Sequence, residues 1–265
     1  MSAPPFATVD DLTAALGQHS YLADRGLGTA IHLSLALGKP LLLEGEAGVG
    51  KTEVAKVLAE LLGRRLIRLQ CYEGIDAAQA LYEWNYSKQL VAVRAMDAAD
   101  ATTHVQDLFG PEFLVERPLL AAIREGSGAV LLVDELDRAD DEFEAFLLEI
   151  LSEFAVTIPE VGRVAAESPP AVIVTSNRTR ELHDALKRRC LYHWIDHPDF
   201  ERELAILRVR APGVAESLDW AEAMQALGAR DLDPDLAAAS LGAFLKYRED
   251  QDRVVGRLAE WAQAG

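Results

Sequence analysis

Three groups of residues in this chain have the types and spacing to do chemistry on a phosphate ester. The first is Gly45-Glu46-Ala47-Gly48-Val49-Gly50-Lys51-Thr52, which fits G-x-x-x-x-G-K-[ST]. Glycines at these spacings let the backbone turn so that successive N–H groups point inward at phosphate oxygens, and a helix starting behind them adds the positive end of its dipole. The lysine of such a loop reaches the β- and γ-phosphates and the hydroxyl residue ligates Mg²⁺, roles that fall to Lys51 and Thr52. The second group is Asp134-Glu135, directly after the apolar run Leu131-Leu132-Val133. An aspartate at the C-terminal end of a buried strand can hold Mg²⁺ through its water shell, and a following glutamate can polarise a water for in-line attack on the γ-phosphate. Without the glycine loop, a solvated strand end would be the ordinary reading of that acidic pair.

The third group is made of single residues whose meaning depends on the first two. Asn177 follows Val174-Thr175-Ser176. Its amide can donate to a γ-phosphate or orient the attacking water, or it can simply cap the turn that ends a strand. Arg188-Arg189 precedes another short apolar run. It is either a solvated basic pair or a guanidinium that reaches a neighbouring subunit's site and stabilises charge on the transferred phosphoryl group. His183, Cys190, His193 and His197 lie close in sequence, but their spacing fits no zinc pattern.

These groups need elements to hold them. Residues 41–44 read as a short buried strand and 53–62 as a helix with apolar Val54, Val57, Leu58, Leu61 and Leu62, so the glycine loop has the strand–loop–helix setting its chemistry requires. Further strands are expected over 66–70, 129–133, 171–175 and 192–195, with a hairpin over 156–164 and helices over 9–16, 28–37, 119–123 and 142–154. Alternating strands and helices predict an α/β fold with a five-stranded parallel sheet. From Tyr72 to about His104 the pattern weakens, and the aromatic stretch 81–86 suggests an insertion at the sheet's edge, either a partner surface or a satellite cluster packed on the domain. After Pro198 the chain reads as helical throughout, which divides it into an α/β domain over 1–197 and a small helical lid over 198–265.

Composition excludes several function classes. The chain has 265 residues, half of them hydrophobic, and a formal net charge of -17. Acid excess on this scale works against adhesion to phosphate backbones, so nucleic acid is not an expected partner. Two cysteines, Cys71 and Cys190, make no disulfide framework and suit a reducing compartment. No apolar run approaches the roughly 20 residues of a spanning helix, and the first residues lack the features of a signal peptide. The expectation is a soluble cytoplasmic protein.

In order and kind, these elements resemble the AAA+ ATPases of the MoxR type. Gly45 to Thr52 resembles Walker A, Leu131 to Glu135 resembles Walker B, Asn177 sensor 1, and Arg189 the arginine finger, with Arg188 as the fallback. Asp137-Arg138-Ala139 is similar to the family's sequel to the acidic strand, where an arginine supports the site. Within the family, the peptides 68–76, 81–86, 116–120, 186–190 and 217–220 resemble the CoxD branch. The resemblance implies ATP and Mg²⁺ as ligands and a hexameric ring. It also implies a von Willebrand factor A domain partner, and a role in maturing molybdenum hydroxylases such as carbon monoxide dehydrogenase. One departure is a short stretch between Arg210 and Ser217, as though a lid helix were missing, and no arginine opens the Trp220 helix to act as sensor 2.

The reading is therefore ATP hydrolysis coupled to remodelling of a protein client. Two rivals make different demands: a P-loop kinase needs an acceptor, and a nucleotide-gated scaffold binds without turnover.

Overall fold

The computed structural model describes residues 5–95, 108–159 and 161–196. Two helices lead in, α1 (Val9–Gln18) and α2 (Arg25–Leu37). Thr8 and Asp11 cap α1 reciprocally, each side chain accepting the other residue's N–H, and Asp24 caps α2 by accepting from Leu27 N–H at 2.8 Å. Then come β1 (Leu41–Glu44), α3 (Lys51–Leu62) and β2 (Arg65–Gln70), followed by an insertion of α4 (Ala77–Ala80), β3 (Tyr82–Trp84), α5 (Tyr86–Ala95) and β4 (Leu114–Glu116). The chain continues through α6 (Pro118–Glu125), β5 (Ala129–Asp134) and α7 (Asp141–Glu153) to the hairpin β6 (Ala155–Ile158) and β7 (Gly162–Ala165). It returns to the sheet with β8 (Ala171–Ser176), α8 (Asp184–Arg189) and β9 (Leu191–Trp194).

β1, β2, β5, β8 and β9 form one parallel sheet in the order β2-β5-β8-β1-β9, the α/β architecture the sequence predicts, with each of the five strands within two residues of its expected bounds. Because β1 lies beside β8, and β8 beside β5, the ends of three strands far apart in sequence meet at one edge. Side chains alternate across the sheet and both faces are covered, so these strands are apolar almost throughout. Leu42, Leu131, Val133, Val172 and Val174 pack under α6 and α7 on one face; Leu41, Leu43, Val130, Leu132 and Ile173 pack against α1, α2 and α3 on the other. A sheet held on both faces is a rigid base for chemistry at its edge.

The insertion differs from a satellite cluster. Ile75, Ala80 and Leu81 are buried in the same core as α6 and β5, and Tyr82 and Trp84 pack against it. The reason is pairing: β3 runs antiparallel to β4, which leads directly into α6, so the aromatic stretch is tied to the main core from both ends. Trp84 meets Tyr82 edge-on at 6.1 Å and Phe109 at 5.4 Å. The expected lid over 198–265, with Arg210, Ser217 and Trp220, lies outside the described residues, as do 98–103 and His197.

Candidate functional site

The glycine loop connects β1 to α3 at the edge where the strand ends meet. Gly45 is required by contact: a Cβ there would lie 2.4 Å from the Ile195 carbonyl oxygen beyond β9. Gly50 is required by conformation, with φ 92° at the N-cap of α3, where no side chain claims the helix N–H groups. Lys51 is buried, and its Nζ donates to the carbonyls of Gly45 at 2.8 Å and Glu46 at 2.6 Å, closing the loop around an ammonium. Burial lowers the Lys51 pKa, against the pull of Asp137, Asp134 and Glu135 in the other direction. Uncapped helix N–H groups and a lysine inside a glycine loop fit an anionic phosphate chain.

Asp134 and Glu135 close β5. Thr52 Oγ1 donates to Asp134 Oδ1 at 3.0 Å, so the hydroxyl and the carboxylate are adjacent although 82 residues separate them. Two hard oxygens side by side fit Mg²⁺, which prefers oxygen ligands. Thr175 from β8 donates to the same Asp134 oxygen at 2.6 Å and accepts from Glu135 N–H at 2.9 Å, locking both acids to the neighbouring strand. Glu135 takes the left-handed conformation, φ 54°. For a residue with a side chain that conformation is uncommon, and here it turns the carboxylate off the strand at the sheet's edge.

Comparison with known proteins places the chain. The model of the AAA domain, dynein-related subfamily, matches residues 40–190, more than half of the chain. The chain belongs to this AAA family. The gas vesicle ATPase GvpN of Ancylobacter aquaticus is 28% identical over 246 residues, covering 87% of this chain and 66% of that protein. The uncharacterized protein YojN of Bacillus subtilis is 28% identical over 178 residues, covering 65% of this chain and 52% of that protein. This chain thus spans between about half and two thirds of these curated relatives. A solved chain from Cytophaga hutchinsonii overlays with a TM-score of 0.49 at 18% identity, over 76% of this chain and 53% of that one, a likeness too slight to carry an argument.

The AAA domain holds its acidic pair with residues that local patterns do not mark. Arg68 on β2 donates to Asp134 Oδ2 through Nε at 3.0 Å and through Nη2 at 2.5 Å, and Nη2 also reaches Gln70 Oε1. Gln70 Nε2 in turn donates to Glu135 Oε2 at 3.0 Å, and Arg138 pairs with the same oxygen at 3.2 Å. The carboxylate of Glu135 is therefore held by an amide and a guanidinium, and the Asp134 charge is balanced by Arg68. The signal for Arg68 and Gln70 is the strand register, with Gln70 opposite Asp134, which a single sequence does not display.

Asn177 leaves β8 within this cluster. Its backbone N–H donates to Asp137 Oδ1 at 3.1 Å, while Thr179 gives Asp137 Oδ2 its N–H at 2.9 Å and its hydroxyl at 2.6 Å. Arg188 and Arg189 stand apart, exposed in the last turn of α8, with no ion pair among the described residues. The described residues contain no group of three or more metal-binding side chains, and neither Cys71 nor Cys190 is bonded. Burial pushes both thiols up to about 12, which keeps them protonated and unreactive at neutral pH.

Asp137 gives a stability prediction. Burial pushes its carboxyl up, but the Thr179 hydroxyl and the N–H groups of Thr179 and Asn177 outweigh burial and bring it below the ordinary carboxylate range. A folded pKa depressed below the unfolded value of about 4 contributes stability that is fully present above that pH and is lost as pH falls through the folded value. Asp137→Asn is expected to lower unfolding free energy at pH 7 by about 1–3 kcal/mol, because charged acceptors make the stronger bonds. Urea denaturation at pH 7 and at pH 3 measures it: the gap between parent and variant narrows in acid, and an unchanged gap refutes the role.

Proposed function

We propose that the chain is an ATPase of the MoxR type that hydrolyses ATP to ADP and phosphate and uses the cycle to remodel a protein client. The observation that carries this reading is the meeting of Lys51, Thr52, Asp134 and Glu135 at one sheet edge, with Thr52 bonded to Asp134 at 3.0 Å. Gly45, Glu46, Ala47, Gly48, Val49 and Gly50 would wrap the phosphates with backbone N–H groups, and Lys51 would exchange its two loop carbonyls for phosphate oxygens. Thr52 and Asp134 would hold Mg²⁺, which when bound neutralises charge on the phosphate oxygens. Glu135 takes the proton of the attacking water. Its contacts to Gln70 and Arg138 keep the carboxylate oriented until a nucleotide and water are in place. Asn177 orients that water, and Arg189, or Arg188 in its stead, acts on the next subunit of a hexameric ring.

The CoxD-like peptides support a narrower version, in which a von Willebrand factor A partner recruits a molybdenum-hydroxylase maturation complex. No residue set among the described residues suits metal or sulfur insertion, so the chain's contribution would be conformational work. Nucleotide state can move a client only through unequal contacts in the two states, which makes client affinity depend on ATP against ADP.

Purified protein given ATP and Mg²⁺ with no acceptor tests the reaction, and ADP and phosphate are expected in equal amounts. A requirement for an added acceptor gives the kinase reading instead, and binding without turnover gives the scaffold. For the client, deletion of the gene is expected to abolish activity of the host's molybdenum hydroxylase. Full activity with a complete metal centre refutes that role and leaves the ATPase intact.

A further inference from the structure

Away from the nucleotide site, an open cleft of about 740 Å³ lies between the α4–β3 part of the insertion and the α7–β6 corner. The volume falls within the range of specific ligand sites. Leu81 and Ile150, both buried, supply an apolar floor. The walls are aromatic, with Tyr82, Trp84, Tyr86 and Phe146, and the rim carries Glu83, Glu149 and Glu153. Arg163 is the cation in the lining and pairs with Glu153 at 3.3 Å; Glu83 pairs with Arg117 at 2.7 Å, and Glu149 has no ion pair among the described residues.

Aromatic faces beside carboxylates attract a cation, and an apolar floor takes the aliphatic stem behind it. Tyr86 of the lining opens α5, on which Tyr86, Leu90 and Val93 are exposed at the spacing of one helix face. That apolar stripe runs further than a small cation needs. We propose that this cleft and stripe dock a segment of a partner protein that carries lysine or arginine among apolar residues. Charge argues against the chain's own segments: residues 96–107 contain Asp97, Asp100 and Asp107 and neither lysine nor arginine, residues 197–265 carry 13 aspartates and glutamates against 8 lysines and arginines, and a second copy brings a net charge of -17. The proposal concerns a surface that shares no residue with the nucleotide site, so it stands or falls separately from the ATPase reading.

The test is fluorescence anisotropy of the full chain with a labelled peptide of about twelve residues alternating arginine and leucine, beside a counterpart with glutamate in place of arginine. Binding of the basic peptide alone is expected. Glu149→Lys is expected to weaken it about tenfold and Tyr86→Ser about fivefold, since both remove contacts at exposed positions. Glu60→Lys makes the same charge change on α3, across the sheet, and is expected to shift affinity less than about twofold. A fluorescent ATP analogue bound equally by all variants verifies that each is folded. Failure of the basic peptide to bind, equal binding of the acidic one, or an equal loss in Glu60→Lys overturns the proposal.

Discussion

Glu135→Gln is expected to bind ATP about as tightly as the parent protein and to hydrolyse it at least about 100-fold more slowly, the usual contribution of a positioned general base. The substitution keeps size and shape, and its amide oxygen still accepts from Gln70, which now holds Glu135 Oε2 at 3.0 Å. What disappears is the capacity to take a proton from water. Lys51→Ala has a different outcome because the ammonium sits inside the loop, bonded to Gly45 and Glu46 carbonyls. Without it the phosphates lose their cation and the loop loses its closing contact, so binding itself fails. Titration of a fluorescent ATP analogue and release of phosphate separate the two effects. A Glu135→Gln protein with parental turnover removes Glu135 from the chemistry, and a Lys51→Ala protein with parental affinity removes the glycine loop.

Much of the scaffold was legible because it depends on local chemistry. β5 and β8 are apolar almost without interruption, as strands covered on both faces must be, and the β6–β7 hairpin is announced by Pro159 and Gly162. The glycine loop declares itself by spacing. By contrast, α5 escaped a periodicity reading because its apolar residues, including Leu90, Val91 and Val93, face outward and make no core stripe. α4 carried a readable signal, the capping box of Asp76 and Gln79, which was hidden by the aromatic residues beside it.

The site divides in the same way. Lys51, Thr52, Asp134 and Glu135 are marked by motif, and the fold brings them together. Arg68 and Gln70 fall in a CoxD-like peptide that gives them no role in the site, and Thr175 falls in no motif, since their function arises only when β2, β5 and β8 lie side by side in register. Thr175 looks like any β-branched strand residue until its hydroxyl is found between Asp134 and the Glu135 backbone. Strand adjacency is a long-range property, and one sequence does not contain it.

Mixing two inactive variants is expected to restore activity, and this is the strongest test of a site shared between subunits. Arg189 is exposed at the end of α8, with no ion pair among the described residues. A bare guanidinium on a helix end is available to a neighbouring copy. If it stabilises the phosphoryl group there, Arg189→Ala lowers turnover about 10³-fold while its own Lys51 and Glu135 remain intact. In a mixed ring, an Arg189→Ala subunit supplies the base and a Glu135→Gln neighbour supplies the finger. At equal proportions and random order, roughly a quarter of interfaces combine both intact groups. Phosphate release from the mixture is therefore expected to reach a substantial fraction of the parental rate although each component alone is nearly silent. Arg188→Ala mixed in the same way identifies which of the two arginines acts, because only the true finger is complemented. Subunit exchange, followed by energy transfer between labelled copies, verifies that mixed rings form. Exchange without recovery of activity for either arginine means that the site is complete within one chain.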